Sequence, residues 1–364
     1  MQALESPQDV RRERVAQPVF SVCIPQHNRT SFIIEACRSL VSQTYGNFEV
    51  CISDDCSTDG GERRLLDFLE DSELSFAYRR QRRNLRYDAN LRAAIDLARG
   101  QYVFLMGNDD CLARPTVLEE VLEEIERNAP VSVAVTNFED YASGKRVSRF
   151  SRRGIAGRGP RTAAQTFRNF SFVSGVVLEA DSARRYATDR WDGSEMYQVF
   201  LAARLIAAGG RLLYIDTSAV RKDIQIAGEN VDSYVARPRL KPCPVVTRHL
   251  PVGQLAQLVS DAITPCAESG QRGTMSEQVA RQLYQFTYPF WILEYRRVQS
   301  WRYALGVCLG LRPAYSLRGL PVSSAARMRL TARFWLTSAL ALVMPLGVFN
   351  RLRQTLYRFA KSTT

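Results

Sequence analysis

Short apolar runs alternate with segments of helical spacing through the first 110 residues of the chain. Strand-like runs cover residues 18–25, 48–55, 74–80 and 101–107, and helical patterns cover residues 31–45, 60–71 and 88–98. Single helices between successive strands are typical of βαβ units, and they predict a parallel sheet. Ligands of such sheets bind beyond the carboxyl ends of the strands, so polar residues at those ends are candidate site residues.

The pattern becomes less regular after residue 110. Residues 143–165 are rich in Gly, Arg and Ser, which predicts a mobile loop or a two-strand excursion. Strand-like sequence returns at 170–181, a helix ends at Gly209-Gly210 before another strand, and helical sequence begins near Pro251. We therefore expect a flexible N-terminal lead (residues 1–17), an α/β domain (18–245) and a helical C-terminal region (246–364).

The positive charge of the chain is concentrated near its C-terminus. The net charge is +12, and 12 basic residues with no acidic residue among them follow Glu294. Residues 1–294 are therefore formally neutral. This distribution argues against a nucleic-acid groove on the α/β domain and predicts an anionic partner for the C-terminal region.

The eight cysteines and two histidines do not favour a zinc site, because no CxxC pair occurs and histidine ligands are scarce. Scattered cysteines are typical of reduced thiols in the cytoplasm. The polar first 18 residues lack the apolar core of a secretory signal. The predicted localisation is cytoplasmic.

An uncharged segment near the C-terminus lies between Arg333 and Arg351. It is shorter than the roughly 20 residues that cross a bilayer, and Pro345 interrupts it. Flanking arginines and nearby aromatic residues favour a position of residues 334–349 in the membrane interface, which would make the protein peripheral on the inner face of the cell membrane. A core helix packed on the α/β domain is the alternative.

Adjacent carboxylates follow two of the predicted strands. The sequence ISDDCSTDG places Asp54 and Asp55 at one strand end, and GNDD places Asp109 and Asp110 at another. A capped turn would explain either site alone, but the two strand ends converge on one edge of a parallel sheet. Oxygen ligands of this kind suit Mg²⁺ or Mn²⁺, which take their remaining ligands from water and substrate phosphates. Such a metal would neutralise charge on a departing diphosphate.

Three ordered segments carry a family resemblance: SVCIPQHNR, ISDDCSTDG and NLRYDANLRAAIDLARGQYVFLMGNDD. In this order the chain resembles the inverting family 2 glycosyltransferases of GT-A fold over roughly residues 18–225. The resemblance implies a mostly parallel Rossmann-like sheet flanked by helices. It also implies metal-dependent transfer of a sugar from a nucleotide-diphosphate donor to a hydroxyl acceptor. With the basic C-terminal region, it suggests a lipid-linked oligosaccharide acceptor in bacterial surface polysaccharide synthesis, such as that of O-antigen.

The resemblance assigns site residues position by position. Those expected at the nucleotide are Pro25, Asn28, Asp54, Asp55, Arg86, Asp88, Asn90 and Asn108, and His27 stands where the family usually has tyrosine. Asp109 and then Asp110 are the expected metal ligands. Gly107 occupies the position of the first aspartate of the family's Asp-x-Asp motif, so one carboxylate is missing.

Inverting transfer also requires a general base for the acceptor hydroxyl. Tyr197 and Gln198 occupy the positions where the resemblance places an acidic pair, so the candidates are Glu195 and, second, Asp192 just upstream. Either acid would also be favourable at a helix N-terminus without any catalytic role. Arg221 and Lys222 are expected to contact diphosphate oxygens from a basic loop, or to be an exposed loop of no such function.

Two other functions remain open at this point. A sugar-phosphate nucleotidyltransferase also combines an α/β sheet with Mg²⁺, but it requires a glycine-rich phosphate loop that IPQHNRTSF does not contain. A catalytically inactive nucleotide-sugar-binding protein of the same fold is the second alternative, because the first aspartate is missing and the candidate base is displaced.

Overall fold

The computed structural model describes residues 8–229 and 251–362. The chain forms two compact units. The α/β unit comprises Met1–Gly157, Phe170–Gly193 and Gly210–Ser233, and the helical unit comprises Arg158–Asn169, Ser194–Gly209 and Tyr234–Thr364. The domain boundary predicted at residues 245 and 246 lies outside the described residues.

The α/β unit is built on an 11-stranded sheet. Its strands are β1 (Gln8–Arg12), β2 (Phe20–Gln26), β3 (Phe48–Asp54), β4 (Ser75–Arg80), β5 (Tyr102–Leu105), β6 (Cys111–Leu112), β7 (Val133–Asp140), β8 (Arg146–Val147), β9 (Gly154–Gly157), β10 (Val176–Glu179) and β11 (Leu212–Lys222). Their order is β1-β4-β3-β2-β5-β10-β7-β11-β6, with β8 beside β7 and β9 beside β11.

Strands β4, β3, β2 and β5 are parallel, as are β7 and β11, whereas β10 runs antiparallel between β5 and β7. The carboxyl ends of β2, β3, β5 and β11 therefore lie along one edge of the sheet, as the sequence pattern predicted. The α-helices in the described part of this unit are α1 (Thr30–Val41), α2 (Glu62–Asp71), α3 (Arg86–Asp96), α4 (Val117–Arg127) and α6 (Ala180–Arg185).

The core of the α/β unit follows from apolar periodicity. Phe20, Val22 and Ile24 of β2 are completely buried, and every residue of β3 is at least mostly buried, because helices cover a parallel sheet on both faces. Helix α4 buries the stripe Val117, Leu118, Val121 and Ile125, which has the spacing of one helix face.

The helical unit contains α5 (Gly159–Thr166), α7 (Tyr197–Ala207), α8 (Leu255–Ile263), α9 (Arg272–Gln282), α10 (Tyr288–Val298), α11 (Trp301–Gly310), α12 (Pro313–Ser316), α13 (Ser324–Val343) and α14 (Leu346–Ser362). A π-helical turn, Leu283–Thr287, joins α9 to α10, and Pro289 is the second residue of α10. Within the described residues no single helix has both the length and the hydropathy to cross a membrane. Helix α13 and Leu346–Leu352 meet these criteria only as a pair, which is bent by 104°.

Three local features differ from the expectations above. Residues 8–12, expected within a flexible lead, form edge strand β1, because Val10 packs against the core and Arg79 pairs with Asp9 at 2.7 Å. Residues 143–165 contain the strands β8 and β9, which is the two-strand alternative, and then the start of α5. Arg221 and Lys222 lie in β11 rather than in a loop, because β11 continues through Lys222 beside β7.

Candidate functional site

The loops at the carboxyl edge of the sheet carry unusual backbone conformations. Among the described residues, the non-glycine residues with positive φ are Asn28, Arg29, Cys56, Arg86, Glu195 and Asp223. Four of them follow strands β2, β3 and β11 directly, and Arg86 begins α3. A left-handed conformation is unfavourable for a residue with a Cβ, and such strain concentrates at functional sites.

The buried carboxylate of Asp54 stabilises the turn after β3 by accepting hydrogen bonds. Its carboxylate accepts the Ser57 backbone N–H at 2.7 Å and the Tyr78 hydroxyl at 3.0 Å, and the residue is 1% exposed. Burial and the carboxylates of Asp54 and Glu62 raise the pKa of Tyr78, so this hydroxyl remains a donor. Asp54 therefore lies at the predicted place, with each carboxylate oxygen engaged by the protein.

Asp55 connects the β3 turn to the start of α3. Its carboxylate accepts the backbone N–H groups of Leu85 and Arg86, the latter at 2.9 Å. The left-handed Arg86, with φ of 67°, lies at this junction and its side chain is exposed. Burial raises the pKa of Asp55, although the two N–H groups oppose the shift. The Asp55 carbonyl oxygen lies 3.0 Å from His27 Nδ1.

The end of β2 gathers amide side chains. The Gln26 carbonyl oxygen accepts Asn90 Nδ2 at 3.0 Å, and Gln26 Oε1 accepts Asn108 Nδ2 at 2.7 Å. Asn90 is 3% exposed, and its Oδ1 has no hydrogen-bond partner among the described residues. A buried acceptor without a partner costs about 1–3 kcal/mol, so this oxygen is suited to a ligand donor.

The remaining predicted nucleotide residues border the same edge. Asn28 N–H donates to Ser57 Oγ at 2.7 Å, and Asn28 Oδ1 accepts the Thr58 N–H at 2.7 Å. Pro25 lies in β2 beyond Cys23, the last residue of β2 paired with β5, so its missing N–H breaks no bond on that side. Asp88 is buried in the first turn of α3, where a negative charge is favourable.

Asp109 and Asp110 have different environments. Asp110 is 2% exposed and accepts hydrogen bonds from the Ser174 hydroxyl and from the Asp223 N–H at 3.0 Å. Burial, reinforced by the neighbouring Asp109 charge, raises the pKa of Asp110 to about 7. The Asp109 side chain is 17% exposed and pairs with Arg29 at 2.6 Å. Asp109 is thus the more accessible of the two candidate metal ligands, whereas Asp110 is held inside the loop by its hydrogen bonds.

Gly107 is packed too closely for a side chain without adjustment. A Cβ at this position would lie 3.0 Å from an oxygen of Asp110 and 3.1 Å from an oxygen of Asp109. Its N–H donates to Ser174 Oγ at 2.8 Å. The carboxylate that the family usually has at this position would therefore stand against two others.

Two cations accompany these acids. The Arg29 guanidinium also stacks on Phe32, with its Cζ 4.1 Å from the ring centre. Lys222 forms an ion pair with Asp223. Burial lowers the pKa of Lys222, but the carboxylates of Asp223, Asp110 and Asp109 outweigh this effect and raise it. Arg221 instead donates to Glu139 at 2.6 Å, which directs it along the sheet.

The donor set fits a divalent cation held partly by substrate. Among the described residues no three His, Cys, Asp or Glu side chains cluster closely enough to hold a metal. Mg²⁺ and Mn²⁺ commonly bind through one or two carboxylates plus substrate phosphates. Asp109 supplies one partly exposed carboxylate for such a site, and a nucleotide diphosphate would supply the other oxygens.

The two candidate bases differ in their surroundings. Asp192, in the α/β unit, forms a two-point ion pair with Arg92, with both N–O distances at 2.7 Å. Both oxygens of this carboxylate are therefore engaged by one guanidinium group. Glu195, in the helical unit, has a left-handed backbone with φ of 58° immediately before α7.

The sequence patterns missed several residues of the site. Arg29 was not singled out, nor were Gln26, Ser174 and Asp223, which hold Asn108 and Asp110 in place. The only available signal was the position of Arg29, which directly follows the predicted Asn28. Asp59 was also passed over, although its carboxylate accepts Thr30 N–H at 3.0 Å and so caps α1.

Comparison with known proteins agrees with this geometry. Residues 21–177 match the family described as Glycosyl transferase family 2. The abequosyltransferase RfbV of Salmonella typhimurium is 37% identical over 101 residues, which cover 27% of this chain and 30% of RfbV. The chain spans less than half the length of the first curated relatives it matches.

Solved structures show a shared fold. The structure of S. aureus TarS 1–349 matches with a TM-score of 0.59 and 14% identity, covering 88% of this chain and 90% of that one. The mannosyltransferase PcManGT from Pyrobaculum calidifontis, solved with GDP-Man and Mn²⁺, matches with a TM-score of 0.51 and 16% identity, covering 95% of this chain and 88% of that one. The predicted GT-A fold is confirmed, and residues 21–177 of the chain are similar to glycosyl transferase family 2.

Proposed function

We propose that this protein transfers a sugar from a nucleotide-diphosphate donor to a hydroxyl acceptor, with inversion at the anomeric carbon. One observation carries the proposal: three loops of the family-matched domain meet at the carboxyl edge of the sheet. They are joined by the bonds from Asn28 to Ser57 and from Asn108 to Gln26 and by the ion pair of Arg29 with Asp109. The match of this domain to a glycosyl transferase family favours sugar transfer over nucleotidyl transfer.

The chemistry along this edge divides into two parts. Asn90, whose buried Oδ1 has no hydrogen-bond partner in the described part of the chain, and Asn108 suit the polar nucleoside. Arg29 and Lys222 suit the diphosphate, since both are cations placed among carboxylates. Asp109 would hold Mn²⁺ or Mg²⁺, which would supply Lewis-acid neutralisation of the departing diphosphate. TarS has been solved with UDP-GlcNAc and PcManGT with GDP-Man, which makes these two donors the first to test.

The proposed transfer is a single displacement. The acceptor oxygen forms a bond to the anomeric carbon while the bond from that carbon to the diphosphate oxygen breaks, and the electron pair leaves with the diphosphate. The acceptor proton passes to a carboxylate, for which we propose Glu195. Its strained backbone supports this assignment, and the Arg92 ion pair disfavours Asp192.

For the acceptor we propose a lipid-linked saccharide used in bacterial surface polysaccharide, at the cytoplasmic face of the cell membrane. The support comes from the described activities of two relatives and from the positive charge of the C-terminal region. RfbV is an abequosyltransferase, and the relative TuaG of Bacillus subtilis is described as a putative teichuronic acid biosynthesis glycosyltransferase. The 12 basic residues after Glu294 favour an anionic surface near the acceptor.

The experiment begins with purified full-length protein and a panel of nucleotide sugars, with and without Mn²⁺. Thermal stabilisation identifies the donor, because a ligand that binds the folded state raises its stability. Release of nucleoside diphosphate and transfer to lipid extracts then measure turnover, and NMR of the product tests inversion. We expect Glu195→Gln to lower kcat by about 10²–10⁴-fold. Asp67→Asn, which removes an exposed ion pair on α2, is the control.

Each alternative to the proposed base, activity and metal predicts a different result in these experiments. Turnover retained in Glu195→Gln but lost in Asp192→Asn would move the base to Asp192. Donor binding without turnover on any extract would favour the inactive binding protein. Pyrophosphate release from a nucleoside triphosphate and a sugar 1-phosphate would favour the nucleotidyltransferase. Turnover unaffected by a chelator would overturn the metal assignment.

A further inference from the structure

Helix α13 and the start of α14 expose a continuous series of large apolar side chains. We call this series the apolar strip: Met328 (69% exposed), Trp335 (43%), Leu336 (64%), Leu340 (55%), Val343 (71%) and Val348 (44%). On α13, Met328, Leu336, Leu340 and Val343 recur at intervals of eight, four and three residues, and Trp335 is adjacent to Leu336, so all of them lie on one broad face of the helix. The other face, through Leu330, Phe334 and Ala341, is buried inside the helical unit.

The packed face fixes the orientation of α13. Phe334 contacts the edge of the Tyr284 ring, with centres 5.2 Å apart, and Thr337 donates to the Tyr284 carbonyl oxygen at 2.8 Å. Rotation of α13 about its axis would bury the apolar strip only by breaking these contacts with Tyr284, so the strip stays exposed. Contiguous exposed apolar surface of this kind marks an interaction site.

Backbone carbonyl groups at the C-terminal end of α13 have hydrogen-bond partners within the helical unit. Arg296 donates to the carbonyl oxygens of Ala341 at 3.3 Å and Met344 at 2.6 Å, and Trp301 Nε1 donates to that of Leu342 at 3.2 Å. Backbone carbonyls without partners are costly in an apolar medium. The bend at Pro345 is therefore suited to contact with hydrocarbon, even though its 104° angle excludes a straight span.

The charges around the apolar strip select its partner. Every charged residue from 295 to 362 is basic, and Arg302, Arg329 and Arg351 are exposed. Apolar side chains bordered by arginine match the acyl chains and anionic head groups of a bilayer surface. A second copy of the chain would bring the same positive charge against this face and is disfavoured.

We infer that the apolar strip enters one leaflet of an anionic membrane, with α13 lying along the surface and the bend at Pro345 inserted shallowly. The helical unit is thus a monotopic anchor rather than a membrane-spanning one. This inference depends on the surface of the helical unit alone, and it does not require the proposed sugar transfer.

Flotation of full-length protein with lipid vesicles tests the inference. Vesicles of phosphatidylcholine, with or without phosphatidylglycerol, separate the apolar from the electrostatic contribution. We expect binding to the anionic vesicles to exceed binding to neutral vesicles by about tenfold and to weaken with salt. Leu336→Gln/Leu340→Gln/Val343→Gln should reduce binding to anionic vesicles by at least about tenfold.

The matched control is Val41→Gln/Ile155→Gln, which changes exposed apolar residues of the α/β unit that are 46% and 38% exposed. This control should float like the wild type, and circular dichroism should show native helicity in both variants. Flotation of the triple variant at the wild-type level, or failure of the wild type to bind anionic vesicles, would overturn the inference. A wild-type dimer that the triple variant converts to monomer, without vesicle binding, would assign the strip to a second copy.

Donor hydrolysis in vesicle-free buffer separates this inference from the proposed function. The triple variant should hydrolyse the donor at the wild-type rate while losing flotation. If neither protein hydrolyses any donor or transfers its sugar to lipid extracts, but flotation behaves as expected, the anchor stands and the proposed function fails.

Discussion

The two edges of the α/β sheet use the same chemical groups for different purposes. At the amino edge, buried Glu49 accepts Ser21 Oγ at 2.7 Å and the Arg99 N–H at 2.6 Å, and it pairs with the guanidinium groups of Arg99 and Arg11. At the carboxyl edge, Asp109 has Arg29 as its ion-pair partner, held by a left-handed backbone.

The two edges differ in how fully the chain itself satisfies their polar groups. The chain itself satisfies Glu49, so that edge is closed and contributes to stability. The carboxyl edge combines a partly exposed acid, paired cations and several left-handed residues with the Asn90 Oδ1 atom, which has no hydrogen-bond partner among the described residues. It is therefore the edge that we propose to take a ligand. Substitutions should therefore separate stability at one edge from activity at the other.

The largest effect should come from Asp109→Asn. This change removes the accessible negative charge while keeping the shape of the side chain, so kcat/KM for sugar transfer should fall by about 10³-fold or more. The melting temperature should change by no more than about 3 °C, because the Asp109 side chain is not deeply buried. A fall in melting temperature well beyond about 3 °C, together with the loss of activity, would show that Asp109 has a structural role instead.

Glu49→Gln should have the opposite profile. It leaves two arginines without their buried counter-charge, and the free energy of unfolding should fall by about 2–3 kcal/mol in urea titrations. Donor affinity of the folded protein should not change. Glu13→Gln is the matched control, because Glu13 also pairs with Arg99 at 2.7 Å but is half exposed, and it should cost less than about 1 kcal/mol.

Arg29→Ala should raise KM for the donor by about 10–30-fold, because it removes a cation proposed to face the diphosphate. Isothermal titration with donor would measure the loss directly. Arg63→Ala, which breaks the exposed pair with Asp67, should leave KM unchanged. An Arg29→Ala protein with normal donor affinity would place the diphosphate elsewhere.

Gly107→Ala should have the smallest effect, a reduction of about three- to tenfold in kcat/KM, because its Cβ would press on the oxygens of Asp109 and Asp110. Gly46→Ala is its control, since a Cβ there meets no atom within 4 Å. Steady-state kinetics of the two variants, side by side, would show whether the crowding at Gly107 matters. If the two variants have the same kcat/KM, the side chains of Asp109 and Asp110 can move aside for the added Cβ at no cost to the reaction.

Local sequence patterns were sufficient for the strands that lead into the site. Strands β2 to β5 and the convergence of Asp54 with Asp109 follow from apolar runs separated by single helices. The edge pairing of β1 and the antiparallel insertion of β10 depend on long-range register, which no local period encodes. The same limit applies to side chains: Arg92 and Asp192 are 100 positions apart, so only the folded chain reveals that this acid is already paired.

The left-handed backbone of Arg29 has an evolutionary consequence. Glycine adopts this conformation without the penalty of about 1 kcal/mol or more that a side chain incurs there. In a mutant library sorted for thermal resistance alone, glycine should accumulate at position 29. Sorting the same library for sugar transfer should restore arginine at position 29. The ratio of arginine to glycine in this second pool would measure how much the guanidinium contributes to activity.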